Sequence, residues 1–346
     1  MTQEIDNDII DSPREQEIPI IQPPVLFKET QAVIRQLSSM LDGKFIAYWN
    51  SPGGNVCGND TVAIYEMLEK IGNQDRVYLF LKSMGGDGKS SLRIVNLLRR
   101  YVKEIIALVP LQCASAATMI ALGANEIQMG PMAYLSPVDT SLVHDLSPLD
   151  RDNMRVSISL DELKRVIRLW QGQKSNDNTN PYESLFTYVH PLVIGAVDRA
   201  DSLSVMLCRE ILSYHIKEQE KCENISNILN SKYPAHSYPI LMDEARRIGL
   251  NATEIDPKVH EKLLELNEIY SEMGQRAITD FSDIKYHDNE ILNIIETNDQ
   301  QLYYQVDKDW YYRVEERRWI YLNDASCWRK VEMHRGKMRK SRVHLS

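Results

Sequence analysis

The absences in this chain narrow it first. Its 346 residues hold no apolar run of roughly eighteen, the length that a membrane-spanning helix needs. The first thirty residues are acidic and carry no basic n-region, so neither a membrane span nor a secretory signal is expected, and a cytoplasmic location follows by default. Cysteine is scarce. Cys57, Cys113, Cys208, Cys222 and Cys327 are odd in number and form no Cys-x-x-Cys pair, which argues against a disulfide framework and against a thiolate zinc site. His144, His190, His215, His260 and His287 lack partners at metal-ligand spacing, so no metal is expected. Gly88-Lys89-Ser90 resembles the end of a phosphate loop, but Ser83 stands where its first glycine would have to be. No internal repeat is evident.

What is present suits a globular chain. With 43% hydrophobic and 26% charged residues it can bury a substantial core as one large domain or two smaller ones. The net charge of −9 is unevenly spread. Residues 1–22 carry six acidic groups against Arg14 alone and are followed by Pro23-Pro24, which reads as a disordered arm. The last eighteen residues hold seven basic groups, Arg329, Lys330, Arg335, Lys337, Arg339, Lys340 and Arg342, against Glu332. Such a segment could meet nucleic acid, an acidic membrane surface or an acidic protein patch, but a solvated tail is the plainer reading. No aromatic residues are interleaved for base stacking and the rest of the chain is strongly acidic, so no nucleic-acid partner is expected.

Between these ends, strand and helix patterns alternate. Phe45 to Trp49, Val77 to Lys82, Ile105 to Val109 and Glu126 to Met129 read as buried strands, and the segments between them carry helical spacing. A βαβαβαβ series implies a parallel sheet with crossover helices. The second half is helical, with a long candidate from Val197 to Glu220, a short one from Asp243 to Ile248 capped by Gly249, and another from Val259 to Thr279. Leu302 to Tyr321, rich in aromatic and β-branched residues, predicts two or three antiparallel strands in a small separate appendage.

Two strand-to-helix turns carry the chemistry, Met84-Gly85-Gly86-Asp87-Gly88 and Cys113-Ala114-Ser115-Ala116-Ala117. One crossover apart, they can set glycine N–H groups opposite a serine hydroxyl, as an oxyanion hole requires. Ser115 also reads as a plain helix cap, a common role for serine at an alanine-rich helix start. Asn50-Ser51-Pro52-Gly53-Gly54 offers a second diglycine turn, but it lies a further βαβ unit from Ser115 and reads as a loop at the mouth of the cleft.

The stretch LFLKSMGGDGKSSLRIVNLLRRY…ALVPLQCASAATMIALGANEIQMGPMAYLSPVDTSL, with the later AHSYPILMDEARRIGL, resembles the serine dehydrogenase proteinase family, a member of the Clp-fold group with signal peptide peptidase A and the Clp proteolytic subunit. The resemblance covers roughly residues 40–255. It implies a ClpP/crotonase-like α/β fold of stacked ββα and βαβ units with a parallel sheet, to which the chain adds a C-terminal β-rich appendage. The expected division is an acidic arm over 1–27, the peptidase domain over 28–282 and the β-rich extension with its basic tail over 283–346. By resemblance Ser115 is the nucleophile of a serine endopeptidase, Gly85 and Gly86 are the diglycine turn, and N–H groups of that turn and of Ala116 form the oxyanion hole. A polypeptide substrate, a homo-oligomeric ring of three or six subunits and no cofactor are implied, and peripheral membrane association stays open.

The general base is ambiguous in the sequence. Where the Clp proteolytic subunit has its histidine this chain has Ser136-Pro137-Val138-Asp139, and where the aspartate would come it offers His236. A triad with those roles exchanged, His236 as base and Asp139 orienting it, satisfies the chemistry because geometry rather than chain order defines a triad. His236 reads equally as a surface histidine in a proline-flanked loop. The rival is a lysine, as in signal peptide peptidase A, with Lys164 or Lys174 at a plausible distance, although Lys164 sits in a charged helical string. A crotonase-like acyl-coenzyme A enzyme and an inactive Clp-fold scaffold are the other classes that this pattern admits.

Overall fold

The computed structural model describes residues 18–139, 141–151, 154–172, 183, 185–334 and 336–343. The sheet at its centre is dictated by three apolar runs. Strands β1 (Lys44–Asn50), β2 (Gln74–Lys82) and β3 (Val102–Val109) pair in parallel, with Phe45 opposite Tyr78 and Val77 opposite Ile105. Strand β4 (Gln112–Cys113) pairs with β6 (Tyr134–Leu135) outside this sheet, while β5 (Glu126–Met129) and β9 (Ala252–Glu254) extend it on the far side of β3. Because successive residues face opposite ways, each run serves two cores. Ile46, Tyr48, Val77, Leu79, Ile105 and Ala107 meet helices α2 (Gly58–Ile71), α3 (Gly88–Tyr101) and α4 (Ala116–Leu122). Phe45, Trp49, Tyr78, Phe80, Ile106 and Leu108 meet the other face, covered by α1 (Phe27–Met40), a helix not expected from the sequence pattern, and by α9 (Pro257–Met273).

Local chemistry sets the helix ends. Asp87 caps α3 by accepting from the N–H groups of Lys89 and Ser90, and Asp256 caps α9 just ahead of Pro257. Between these helices the chain forms β7 (Ser141–Leu142), β8 (Ile158–Ser159), α5 (Leu160–Gly172), α6 (Pro191–Ser213), α7 (Gln219–Ser231) and α8 (Met242–Arg247). The single long helix expected over Val197–Glu220 is two. The chain turns after Ser213, where the His215 ring lies 2.8 Å from the Leu122 carbonyl oxygen, and restarts at Gln219. The helix expected to reach Thr279 stops at Met273 with Gly274 as its C-cap, a position where a Cβ would come within 2.6 Å of the Trp49 indole.

The C-terminal region is β-rich as expected, and its strands continue the central sheet. Strands β10 (Ala277–Ser282), β11 (Lys285–Thr297), β12 (Gln300–Arg313), β13 (Arg318–Asp324), β14 (Cys327–His334) and β15 (Lys337–Val343) belong to the same eleven-stranded sheet, with β11 antiparallel to β1. Ile291, Ile294 and Ile295 are fully buried in the two cores, so the apolar area that holds β11 is the domain's own. The basic tail is therefore largely a strand, with Lys337, Arg339, Lys340 and Arg342 along its length. Of the acidic arm, residues 1–17 lie outside the described residues, and Ile21 donates to Thr279 Oγ1 at 2.8 Å. Among the described residues no helix is long and apolar enough to cross a membrane.

A buried carboxylate secures the junction. Glu296 on β11 accepts from Thr30 Oγ1 (2.7 Å) and Gln31 Nε2 (2.8 Å) of α1, Tyr270 OH (2.8 Å) of α9 and Gln301 Nε2 (2.6 Å) of β12. Burial pushes its carboxyl up to about 7 against the pull of those four donors. Replacing it with leucine leaves the four donors without their acceptor. Glu296→Leu is expected to destabilise the fold by about 3 kcal/mol or more in urea unfolding, whereas Glu332→Leu near the sheet edge should change it by under about 1 kcal/mol.

Candidate active site

The two turns meet at the carboxyl ends of β2 and β3. Single parallel bridges join Ser83 to Cys113 and Val56 to Gly86. Ser115 stands at the start of α4 with φ 52° and ψ −121°, a conformation that L-residues rarely adopt. Its N–H donates to Ser136 Oγ at 2.7 Å, the Ser136 N–H donates to Thr118 Oγ1 at 3.1 Å, and Thr118 Oγ1 donates to the Cys113 carbonyl at 2.7 Å. This relay pins the strained turn. Gly85 (φ 108°) and Gly86 (φ 147°) supply the facing turn. A Cβ at Gly85 would lie 2.6 Å from Ser115 Cβ, and one at Gly86 would collide with the Val56 backbone.

The free donors of this site are more selective than the sequence suggests. Gly85 N–H is already used, donating to Ser83 Oγ at 3.1 Å. The N–H groups of Gly86 and Ala116 donate to no acceptor among the described residues, and both residues line a cavity of about 440 Å³ with Ser115. Two unpaired N–H groups beside one hydroxyl suit a developing oxyanion. Of the diglycine pair, the chemical role therefore fits Gly86, and Gly85 serves close approach.

His236 and Asp139 line the same cavity. His236 Nδ1 lies 2.9 Å from Asp139 Oδ1, and this hydrogen bond holds the imidazole above its ordinary value of 6.5, partly offset by burial. The aspartate segment is itself anchored, since Ser204 Oγ of α6 donates to the Val138 carbonyl at 2.8 Å and the Val138 N–H to the Leu229 carbonyl at 3.0 Å. Ser115 Oγ makes no hydrogen bond to His236 or to any other described residue, and the His236 side chain is half-exposed. Lys164 is exposed on α5 and lines none of this cavity, and Lys174 lies outside the described residues. Asn50 to Gly54 is not at the cleft mouth. Ser51 N–H donates to the Leu292 carbonyl at 2.8 Å, which clamps that loop to β11, and Gly53 opens on another cavity.

The sequence reading missed Ser136, Ser83 and Ser204, which hold the turns and the Asp139 segment, and the wall that Leu203 and Leu207 of α6 contribute. Their only sequence signal is a small polar residue inside an apolar pattern.

No family model matches the chain. Two uncharacterized proteins of Methanocaldococcus jannaschii are each 23% identical to it, one over 223 residues (64% of this chain and 68% of the relative), the other over 216 residues (61% and 63%). Among solved structures, a serine-to-alanine mutant of the 1510-N membrane-bound stomatin-specific protease is 14% identical with TM-score 0.38, covering 68% of this chain and 87% of its own. A lysine-to-alanine mutant of that protease in complex with a substrate peptide is 15% identical with TM-score 0.38, covering 68% and 83%. A ClpP1 mutant from Listeria monocytogenes is 11% identical with TM-score 0.33, covering 68% and 99%.

The close approach at Gly85 predicts a sharp sensitivity. Gly85→Ala should lower stability by about 1–3 kcal/mol in thermal or urea unfolding. It should also displace the Ser115 turn, read as a shift of the Ser115 amide resonance, while Gly195→Ala, where an added Cβ meets nothing, should do neither.

Proposed function

We propose that the chain is a serine peptidase that cleaves peptide bonds with Ser115 as nucleophile. The observation that carries this reading is the convergence on one cavity of a backbone-strained serine, two unpaired N–H groups and a histidine bonded to an aspartate. Ser115 Oγ attacks the scissile carbonyl carbon, and its proton passes to His236 Nε2, the ring nitrogen left free by the Nδ1 contact with Asp139. Negative charge developing on the carbonyl oxygen is met by the N–H groups of Gly86 and Ala116. His236, then an imidazolium stabilised by Asp139, returns the proton to the departing amine, and water releases the acyl group by the same steps in reverse.

Assembly belongs to the same proposal. Leu149, Met154, Leu169, Tyr188 and Leu192, on the segment that carries α5 and the start of α6, are each more than half exposed, which fits subunit contacts in a ring of three or six. Sedimentation should give a multiple of the 40.0 kDa chain mass; a single-chain mass at working concentration would overturn the ring.

Three measurements test the chemistry. A fluorophosphonate probe should label the wild type and not Ser115→Ala, and absence of labelling in folded wild type would overturn the peptidase in favour of a scaffold or a coenzyme A enzyme. His236→Ala should lower kcat/KM about a thousandfold while Lys164→Ala leaves it unchanged. Since the base acts as neutral imidazole and Asp139 favours the charged form, activity should rise with pH through an inflection above 6.5 and fall away below it. Asp139→Asn should move that inflection to lower pH.

A further inference from the structure

The alternation of β2 that sends Leu79 and Leu81 toward the Ser115 side sends Tyr78, Phe80 and Lys82 toward α9. There Lys82 lines a second cavity, of about 720 Å³, which shares no residue with the first. Its side chain is an anomaly. Lys82 is only 6% exposed, its ammonium lies 4.4 Å from the centre of the Trp49 ring, and of its three donors one is used, on the Asn50 carbonyl at 2.8 Å. Among the described residues no carboxylate lies within ion-pair distance of it. Burial without a counter-charge is what draws the amine down to about 8.

The other charged groups of this cavity divide differently. Arg276 clasps Asp288 through two hydrogen bonds of 2.9 and 2.8 Å, so these two neutralise each other. Glu290 is half-buried, accepts only Ser51 Oγ (3.0 Å, on one oxygen) among the described residues, and is pushed up by burial. The cavity thus presents one buried cation and one carboxylate with spare capacity, set among Trp49, Leu292 and Val306. A simple anion would satisfy Lys82 and face Glu290 unpaired, and a simple cation would do the reverse. A ligand that carries both charges satisfies both.

We propose that this cavity binds a free α-amino acid with an apolar side chain, its carboxylate on Lys82 Nζ and its ammonium on Glu290, with the side chain against Leu292 and Val306. The site is independent of the Ser115 chemistry. It also reaches the diglycine turn by a short covalent path, since Lys82 immediately precedes Ser83, whose hydroxyl accepts from Gly85 N–H.

The test is calorimetric titration of the full chain at neutral pH with L-leucine, leucinamide, which lacks the carboxylate, and isocaproate, which lacks the ammonium. Leucine should bind once per chain and at least about tenfold more tightly than either analogue, and Lys82→Met and Glu290→Gln should each weaken it by about tenfold or more. No leucine binding, equal binding of an analogue, or binding that survives both substitutions would overturn the proposal. Should Lys82→Met fail to fold by circular dichroism, Glu290→Gln at the half-buried carboxylate carries the same decision.

Discussion

The Cβ that Gly85 lacks would lie 2.6 Å from the Cβ of Ser115, so the ends of β2 and β3 close on one another only while position 85 bears no side chain. That contact brings the Gly86 and Ala116 N–H groups to one cavity, and it leaves Ser115 in a backbone conformation that costs about 1–3 kcal/mol. The surrounding structure offsets this strain locally. The Ser115–Ser136–Thr118–Cys113 relay holds one turn, and the Ser83 hydroxyl and the Val56 bridge hold the other. Short polar side chains do this because they satisfy backbone groups without filling the cavity they border.

The central strands were legible because both faces of a parallel sheet are buried, which writes each strand as a continuous apolar run bounded by turn residues. Glu126–Met129 emerges with the expected limits, while β1 is one residue longer at each end and β2 and β3 each start three residues earlier than expected. The C-terminal strands were legible as strands but not as part of this sheet. Aromatic and β-branched residues announce extended backbone, whereas the partner of β11 is fixed by its fit to β1, hundreds of positions earlier, and by the four donors around Glu296. No local pattern encodes such a choice.

The candidate site divides along the same line. Glycine and serine at Gly85, Gly86 and Ser115 are visible in sequence because their constraints are local, a positive φ or a helix start. Which glycine keeps its N–H free is not, because Ser83 Oγ captures one of the two from outside the diglycine pair. The 2.9 Å contact of His236 with Asp139 could be expected only from the resemblance, since the two residues lie on separate loops, of which the Asp139 segment is anchored to α6 and α7. Lys82 gave no signal at all as the last residue of an apolar strand; its unusual state comes from burial, with no counter-charge in ion-pair range among the described residues.

The sheet that carries all this ends at β15, whose seven residues include Lys337, Arg339, Lys340 and Arg342 and are exposed almost throughout. A terminal strand leaves a row of backbone donors and acceptors that any second strand could complete. Two such rims approaching each other bring together eight like charges on neighbouring chains, and the repulsion opposes growth of the sheet from molecule to molecule. The cationic end of this chain thereby acts as a selvedge, finishing a broad sheet so that it stays the property of one polypeptide.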